Sequence, residues 1–130
     1  MKLLPDTSIW VDYLREGASG VAGALDGHLD QESVLVCGPV LAELLAGTAS
    51  DRRDDLWLAL GNLSWAELDH ASWRKAGEIA NDLRRSGRSV PLTDVVIAVA
   101  CVGAGASLWT RDRDFDAIRD VLPELELYTQ

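Results

Sequence analysis

Residues 92–102 read LTDVVIAVACV, and the fold turns on whether that run is a strand or a helix. The β-branched Val95, Val96, Ile97 and Val99 favour a strand, whereas the length of the run and Thr93, a cap residue beside Asp94, favour a buried helix. Residue pattern alone leaves both open. Downstream, Leu108-Trp109-Thr110 reads as a short strand, Asp114 to Asp120 as a short helix carrying Phe115 and Ile118, and Leu125 to Tyr128 as a last strand. Upstream, Asp69 to Arg85 places Trp73, Ala76, Ile79, Ala80 and Leu83 at helical spacing, stopped by Ser86-Gly87.

Further back, Leu63 to Leu68 is a weak strand candidate, and Asp51 to Leu60 a helix with an acidic first turn. Pro39 suits a first helical position before the stripe Val40, Leu41, Leu44 and Leu45, which ends near Gly47. Val34 to Cys37 is an apolar run of strand length, preceded by a helix expected over Val21 to Leu29. At the start, Lys2 to Pro5 forms a strand, and Asp6-Thr7-Ser8 offers a cap for a helix whose face is Ile9, Trp10, Tyr13 and Leu14. Strands alternating with helical crossovers predict an α/β domain with about five short strands in a mainly parallel, twisted sheet. At 130 residues the chain is expected to form a single domain spanning 1–130.

Hydrophobic residues at 48% and charged ones at 25% fit a globular protein and argue against a disordered one. No apolar stretch reaches the roughly 18 residues of a membrane span, and acidic residues arrive too early for a signal peptide, so a cytoplasmic protein without a membrane partner is expected. Cys37 and Cys101 lie in apolar runs and are read as buried, reduced thiols. A net charge of −9 argues against nucleic-acid binding through a broad basic surface. The bases are mostly arginines in short clusters, such as Arg111, Arg113 and Arg119, which leaves room for a basic rim around an acidic pocket.

Four carboxylates occupy the junctions of this pattern: Asp6, Glu43, Asp94 and Asp112. In a parallel α/β fold such positions gather at the carboxyl edge of the sheet. Two carboxylates about 5 Å apart repel by roughly 3 kcal/mol at an effective dielectric of about 20, so a divalent cation is the simplest compensation. Each acid has a blander role open to it: Asp6 and Asp94 as helix N-terminal charges, Glu43 at a solvated helix edge, and Asp112, Asp114 and Asp116 as a solvated loop. Four independent coincidences are needed for that reading, one shared ion for the other. Oxygen donors without Cys or His pairs suit Mg²⁺ or Mn²⁺, and such ions serve phosphoryl chemistry. Aspartyl-phosphate chemistry lacks its late lysine, since only Lys2 and Lys75 exist, and there is no GxxxxGK or GxGxxG loop.

The motifs DTSIWVDYLR, the Glu of PVLAELLAG, LTDVVIAVA and TRDRDFDAI together resemble the PIN domain, specifically the VapC-type toxin ribonucleases of toxin–antitoxin pairs. The resemblance implies a three-layer α/β/α fold, with the segment after Asp94 helical. It also implies Mg²⁺- or Mn²⁺-dependent endoribonuclease activity leaving a 5′-phosphate, homodimerisation, and inhibition by a cognate antitoxin. By motif, Asp6, Glu43, Asp94 and Asp112 would hold the metal, with Asp114 assisting in catalysis. Thr7, Ser8 and Thr110 would orient ligands or the phosphate, and Arg111 and Arg113 would neutralise it. Pro5 departs from the aliphatic residue usual in such a strand and removes a ladder donor beside Asp6. A basic antitoxin segment is expected to enter the acidic site, its apolar side chains filling a groove that offers Trp10, Tyr13 and Leu14, although core packing is the ordinary role of a tryptophan. The rival reading is a catalytically silent PIN-like module that grips RNA or protein without cutting it.

Overall fold

The structure is a computed structural model that describes residues 1–20 and 22–129. The strands are β1 (Leu3–Pro5), β2 (Leu35–Val36), β3 (Ser64–Trp65), β4 (Ser107–Trp109) and β5 (Glu126–Leu127). The helices are α1 (Thr7–Glu16), α2 (Leu25–Asp30), α3 (Gly38–Ala46), α4 (Arg53–Gly61), α5 (His70–Arg85), α6 (Leu92–Gly103) and α7 (Asp114–Val121). The α/β class expected from the pattern is the one found. The expected start of α2 at Val21 lies outside the described residues.

Every strand pair is parallel, with Leu4 opposite Leu108 and Leu108 opposite Leu127. One continuous sheet was the expectation. Instead β1, β4 and β5 form a three-stranded sheet with β4 in the middle, β2 and β3 form a two-stranded one, and a single bridge from Leu3 to Val34 joins them. Pro5 explains the gap. Leu3 N–H donates to Ser33 O at 2.8 Å, so by strand alternation the nitrogen of residue 5 also faces β2, opposite Leu35, and proline has no hydrogen to give. Asp6 N–H, facing the other way, reaches Trp109 O at 2.9 Å, so the β4 side is intact up to the site. Pro5→Val should therefore gain an amide that resists hydrogen exchange. Fast exchange of the new amide at position 5 would show that something other than the missing donor separates the two sheets.

The divided reading of 92–102 resolves as helix. Val95 to Cys101 are all buried, in contact with α3, α5, α7 and β4, and a helix buried all round shows no polar face in its sequence. The β-branched residues cost about 0.5 kcal/mol each in helix propensity, while burying each contributes about 1.5–3 kcal/mol, so packing decides. The helix begins two residues earlier than the Thr93 cap implies. Pro91 is the N-cap, without a side-chain cap bond, and its carbonyl accepts from Asp94 N–H at 3.1 Å.

Leu3, Leu4, Val36 and Leu108 form the strand layer of the core, packed with Trp10, Ile97, Phe115 and Ile118. Trp10 is 1% exposed, so it belongs to the core and not to an open groove, whereas Leu14 on the same helix is 52% exposed. Core packing does not hold for Trp57 and Trp73, both of which stand half exposed. Cys37 and Cys101 are buried free thiols, pushed up to about 11 and about 12 by burial, and so inert at neutral pH.

Candidate metal centre

The carboxyl edge of β1 and β4 gathers acidic residues from four elements. Asp6 follows β1 in extended backbone and caps α1, its Oδ1 accepting from Ile9 N–H at 3.2 Å and from Ser8 Oγ at 2.5 Å. Its Oδ2 accepts from the Thr110 hydroxyl, just past β4. Burial holds the Asp6 carboxyl above its ordinary range, against the hydrogen bonds from Ser8, Thr110 and the Ile9 amide. A carboxylate offers about four lone-pair positions, and these donors take three, leaving one at Oδ2.

Asp94, Asp112 and Asp114 converge further out. One oxygen from each lies within 4.8 Å of the others, the grouping a hard divalent cation needs. Asp94 is set in the first turn of α6, where a helix N-terminus favours its charge. Burial nonetheless pushes its carboxyl up to about 6, helped by the charges of Asp112, Asp114, Glu43 and Asp6 in that order. All five acids foreseen in the sequence therefore share one electrostatic neighbourhood. Asp114 stands inside the tight triad, and Asp6 and Glu43 stand beside it.

Hydroxyls tie the acids together. Thr7 Oγ1 donates to Glu43 Oε1 at 2.6 Å, linking α1 to α3. Thr110 Oγ1 donates to Asp6 and accepts from Asp112 N–H at 2.9 Å, and Asp112 Oδ1 accepts from Asp114 N–H at 2.9 Å. Thr7, Ser8 and Thr110 thus orient carboxylates. Arg111 is drawn to Asp12, while Arg113 is exposed at the start of α7. Other bases are spent on the surface, Arg88 on Asp120 and Lys75 on Glu124.

Asp12 was not foreseen. It is 8% exposed on the buried face of α1 and lies within ion-pair distance of both Arg15 and Arg111. The signal was its position three residues after Ile9, which places an acid on the apolar stripe.

The donor set is all oxygen and clustered, and burial and like charges hold Asp94 above its ordinary range, so these residues fit a divalent ion of the magnesium or manganese kind. The PIN domain family matches residues 3–121. Over 121 residues the chain is 34% identical to the VapC ribonuclease Mb1587 of Mycobacterium bovis, an alignment covering 89% of this chain and 90% of that protein. The same figures hold for ribonuclease VapC11 of Mycobacterium tuberculosis. Among solved structures, it matches a chain of VapBC2 from Rickettsia felis, bound there to a promoter DNA fragment, with a TM-score of 0.77 at 20% identity, over 100% of this chain and 99% of that one. A chain of VapBC-1 from nontypeable Haemophilus influenzae also gives 0.77, at 19% identity, over 98% and 97%. Those two likenesses speak to the fold, and the sequence relatives speak to the family. The chain belongs to the PIN-domain family, among the VapC ribonucleases.

Proposed function

We propose that this chain is an endoribonuclease that hydrolyses RNA phosphodiester bonds with Mg²⁺ or Mn²⁺, and that it is the toxin of a toxin–antitoxin pair. The observation that carries the reading is the triad of Asp94, Asp112 and Asp114, with Asp94 pushed up to about 6 by burial and by four neighbouring carboxylates. That arrangement is costly as a structural feature and useful as a cation site. When bound, the ion would polarise the phosphate, lower the pKa of a water and stabilise the leaving oxygen.

The protein's own residues do the placing. Asp94, Asp112 and Asp114 would hold the ion, and Asp6 and Glu43 would hold its waters. Ser8 and Thr110 fix the Asp6 carboxylate and Thr7 fixes Glu43, so the acids are oriented before any ligand arrives. Arg113, exposed between Asp112 and Asp114 in the chain, would meet an incoming phosphate. The clustered carboxylates also suit a basic antitoxin segment, which would block the site by occupying it. A homodimer is part of the same reading, and no helix among the described residues is long and apolar enough to cross a membrane.

Purified protein free of any antitoxin should cleave RNA when Mn²⁺ is added and stop when EDTA is added. Intact RNA in the presence of Mn²⁺ would favour the silent binding module. Proton competition sets the pH dependence. Because Asp94 titrates at about 6, Mn²⁺ affinity should fall by roughly tenfold per pH unit below that value, the one-proton limit, and level off above about 7. A pH-independent affinity between about 5 and 7 would remove Asp94 from the ligand set.

A further inference from the structure

Besides Asp6, Asp12 is the only charged residue buried among those described. A carboxylate taken out of water must be paired, and Asp12 is paired twice: Oδ1 with Arg15 Nη2 at 3.2 Å and Oδ2 with the guanidinium of Arg111. Arg15 lies one turn along the same helix, but Arg111 comes from the loop after β4. It stands between Thr110, whose hydroxyl is held by Asp6, and Asp112, a member of the triad. Helix α1 therefore grips the 110–113 loop at two points, through its cap Asp6 and through Asp12 six residues on. The ends of the loop are set by β4 and α7, and the two contacts from α1 hold side chains of the residues between them.

We propose that Asp12 and Arg111 are positioning residues for the metal centre, a clamp that holds the 110–113 loop so that Asp112 and Asp114 face Asp94. The inference rests on the metal-dependent reading above. Neither residue need touch the ion. Arg111 neutralises Asp12 and in doing so is kept from folding back onto the carboxylates beside it. Arg111 meets Asp12 Oδ2 through one nitrogen, Nη2, as a charge pair without hydrogen-bond geometry, so the clamp is electrostatic.

Mn²⁺ binding by titration calorimetry, with thermal unfolding in EDTA alongside, tests the clamp in R111Q, R111K, D12N, D12N/R111Q and D94N. R111Q should weaken Mn²⁺ binding by about tenfold, the lower end for residues that orient metal ligands. Its unfolding temperature should fall by no more than about 5 °C, because Arg15 still pairs with the Asp12 carboxylate. R111K should recover only part of the affinity, and cleavage by R111Q should return toward wild type at saturating Mn²⁺. The double variant should bind no more weakly than R111Q, since both changes break one contact. Wild-type affinity in R111Q, or losses that add in the double variant, would overturn the proposal. Should D12N fail to fold, R111Q and R111K decide alone. D94N separates the two readings: binding that survives D94N refutes the metal centre itself, whereas binding lost in D94N and intact in R111Q refutes only the clamp.

Discussion

Asp94→Asn should abolish RNA cleavage and at the same time make the metal-free protein more stable at pH 7.5. The loss of activity should be at least about a hundredfold, since changes one shell further out already cost 10–100-fold in metal affinity or activity. The gain in stability follows from the raised titration point. An unfolded Asp94 ionises near 3.8 and the folded one at about 6, first because of burial and then because of the neighbouring acids. The folded state therefore binds the extra proton between those values, and its stability falls as pH rises through that window. Above about 6 the whole penalty is present. At face value the shift is worth about 3 kcal/mol, but the group is half buried and solvent screening reduces the figure to on the order of 1 kcal/mol. In a domain of this size that corresponds to about 3–5 °C in unfolding temperature. Melts in EDTA at pH 7.5 and at pH 4 provide the check: the Asn variant should lead at 7.5 and lose its lead at 4. A less stable variant at pH 7.5 would mean that the carboxylate serves the fold.

Asp6→Ala should have the opposite effect on stability, although it also removes a buried negative charge. Asp6 caps α1, and cap removal costs about 0.5–2 kcal/mol. The variant also strands donors, because Ser8 Oγ, Thr110 Oγ1 and Ile9 N–H all give their hydrogens to this carboxylate. A buried donor left without an acceptor costs about 1–3 kcal/mol. Relief of the burial that raises the Asp6 titration offsets part of this, leaving a net loss of about 2 kcal/mol. Cleavage should fall by about 10–100-fold or more, because Thr110 and through it Asp112 lose their anchor. Chemical denaturation in EDTA measures the first effect, and cleavage at fixed Mn²⁺ the second. A stability equal to wild type would show that the hydroxyls find other partners and that Asp6 does not organise the edge.

These two residues also mark what could be read from the chain alone. Asp6 and Asp94 sit where an apolar strand-like run or a proline gives way to a helix, and the chemistry of helix starts makes such positions visible. Asp112 and Asp114 were legible for a similar reason, following a strand, whereas Glu43 stood out as a carboxylate among the leucines of α3. Ranking within the group was not. That Asp114 enters the tight triad while Asp6 spends three lone pairs on Ser8, Thr110 and Ile9 depends on side-chain directions across elements far apart in the chain. The 92–102 run stayed divided because complete burial erases the polar face that periodicity needs, and family resemblance, not spacing, settled it as helical. Pro5 was seen as a missing donor, but its consequence, a sheet held across β1 and β2 by one bridge, required knowing which way residue 5 faces. Arg15 stands at helical spacing from Asp12 in the sequence, but Arg111 becomes its partner only through the fold.

The central claim is that distant acids are folded into one pocket which a divalent cation makes tolerable. Its most direct test is a crystal soaked in Mn²⁺ at pH 7.5, with data collected at the manganese edge. The anomalous difference map should show its strongest peak among Asp94, Asp112 and Asp114, bounded by Asp6 and Glu43. Manganese bound elsewhere on the surface, with that pocket empty at saturating concentration, would contradict the account.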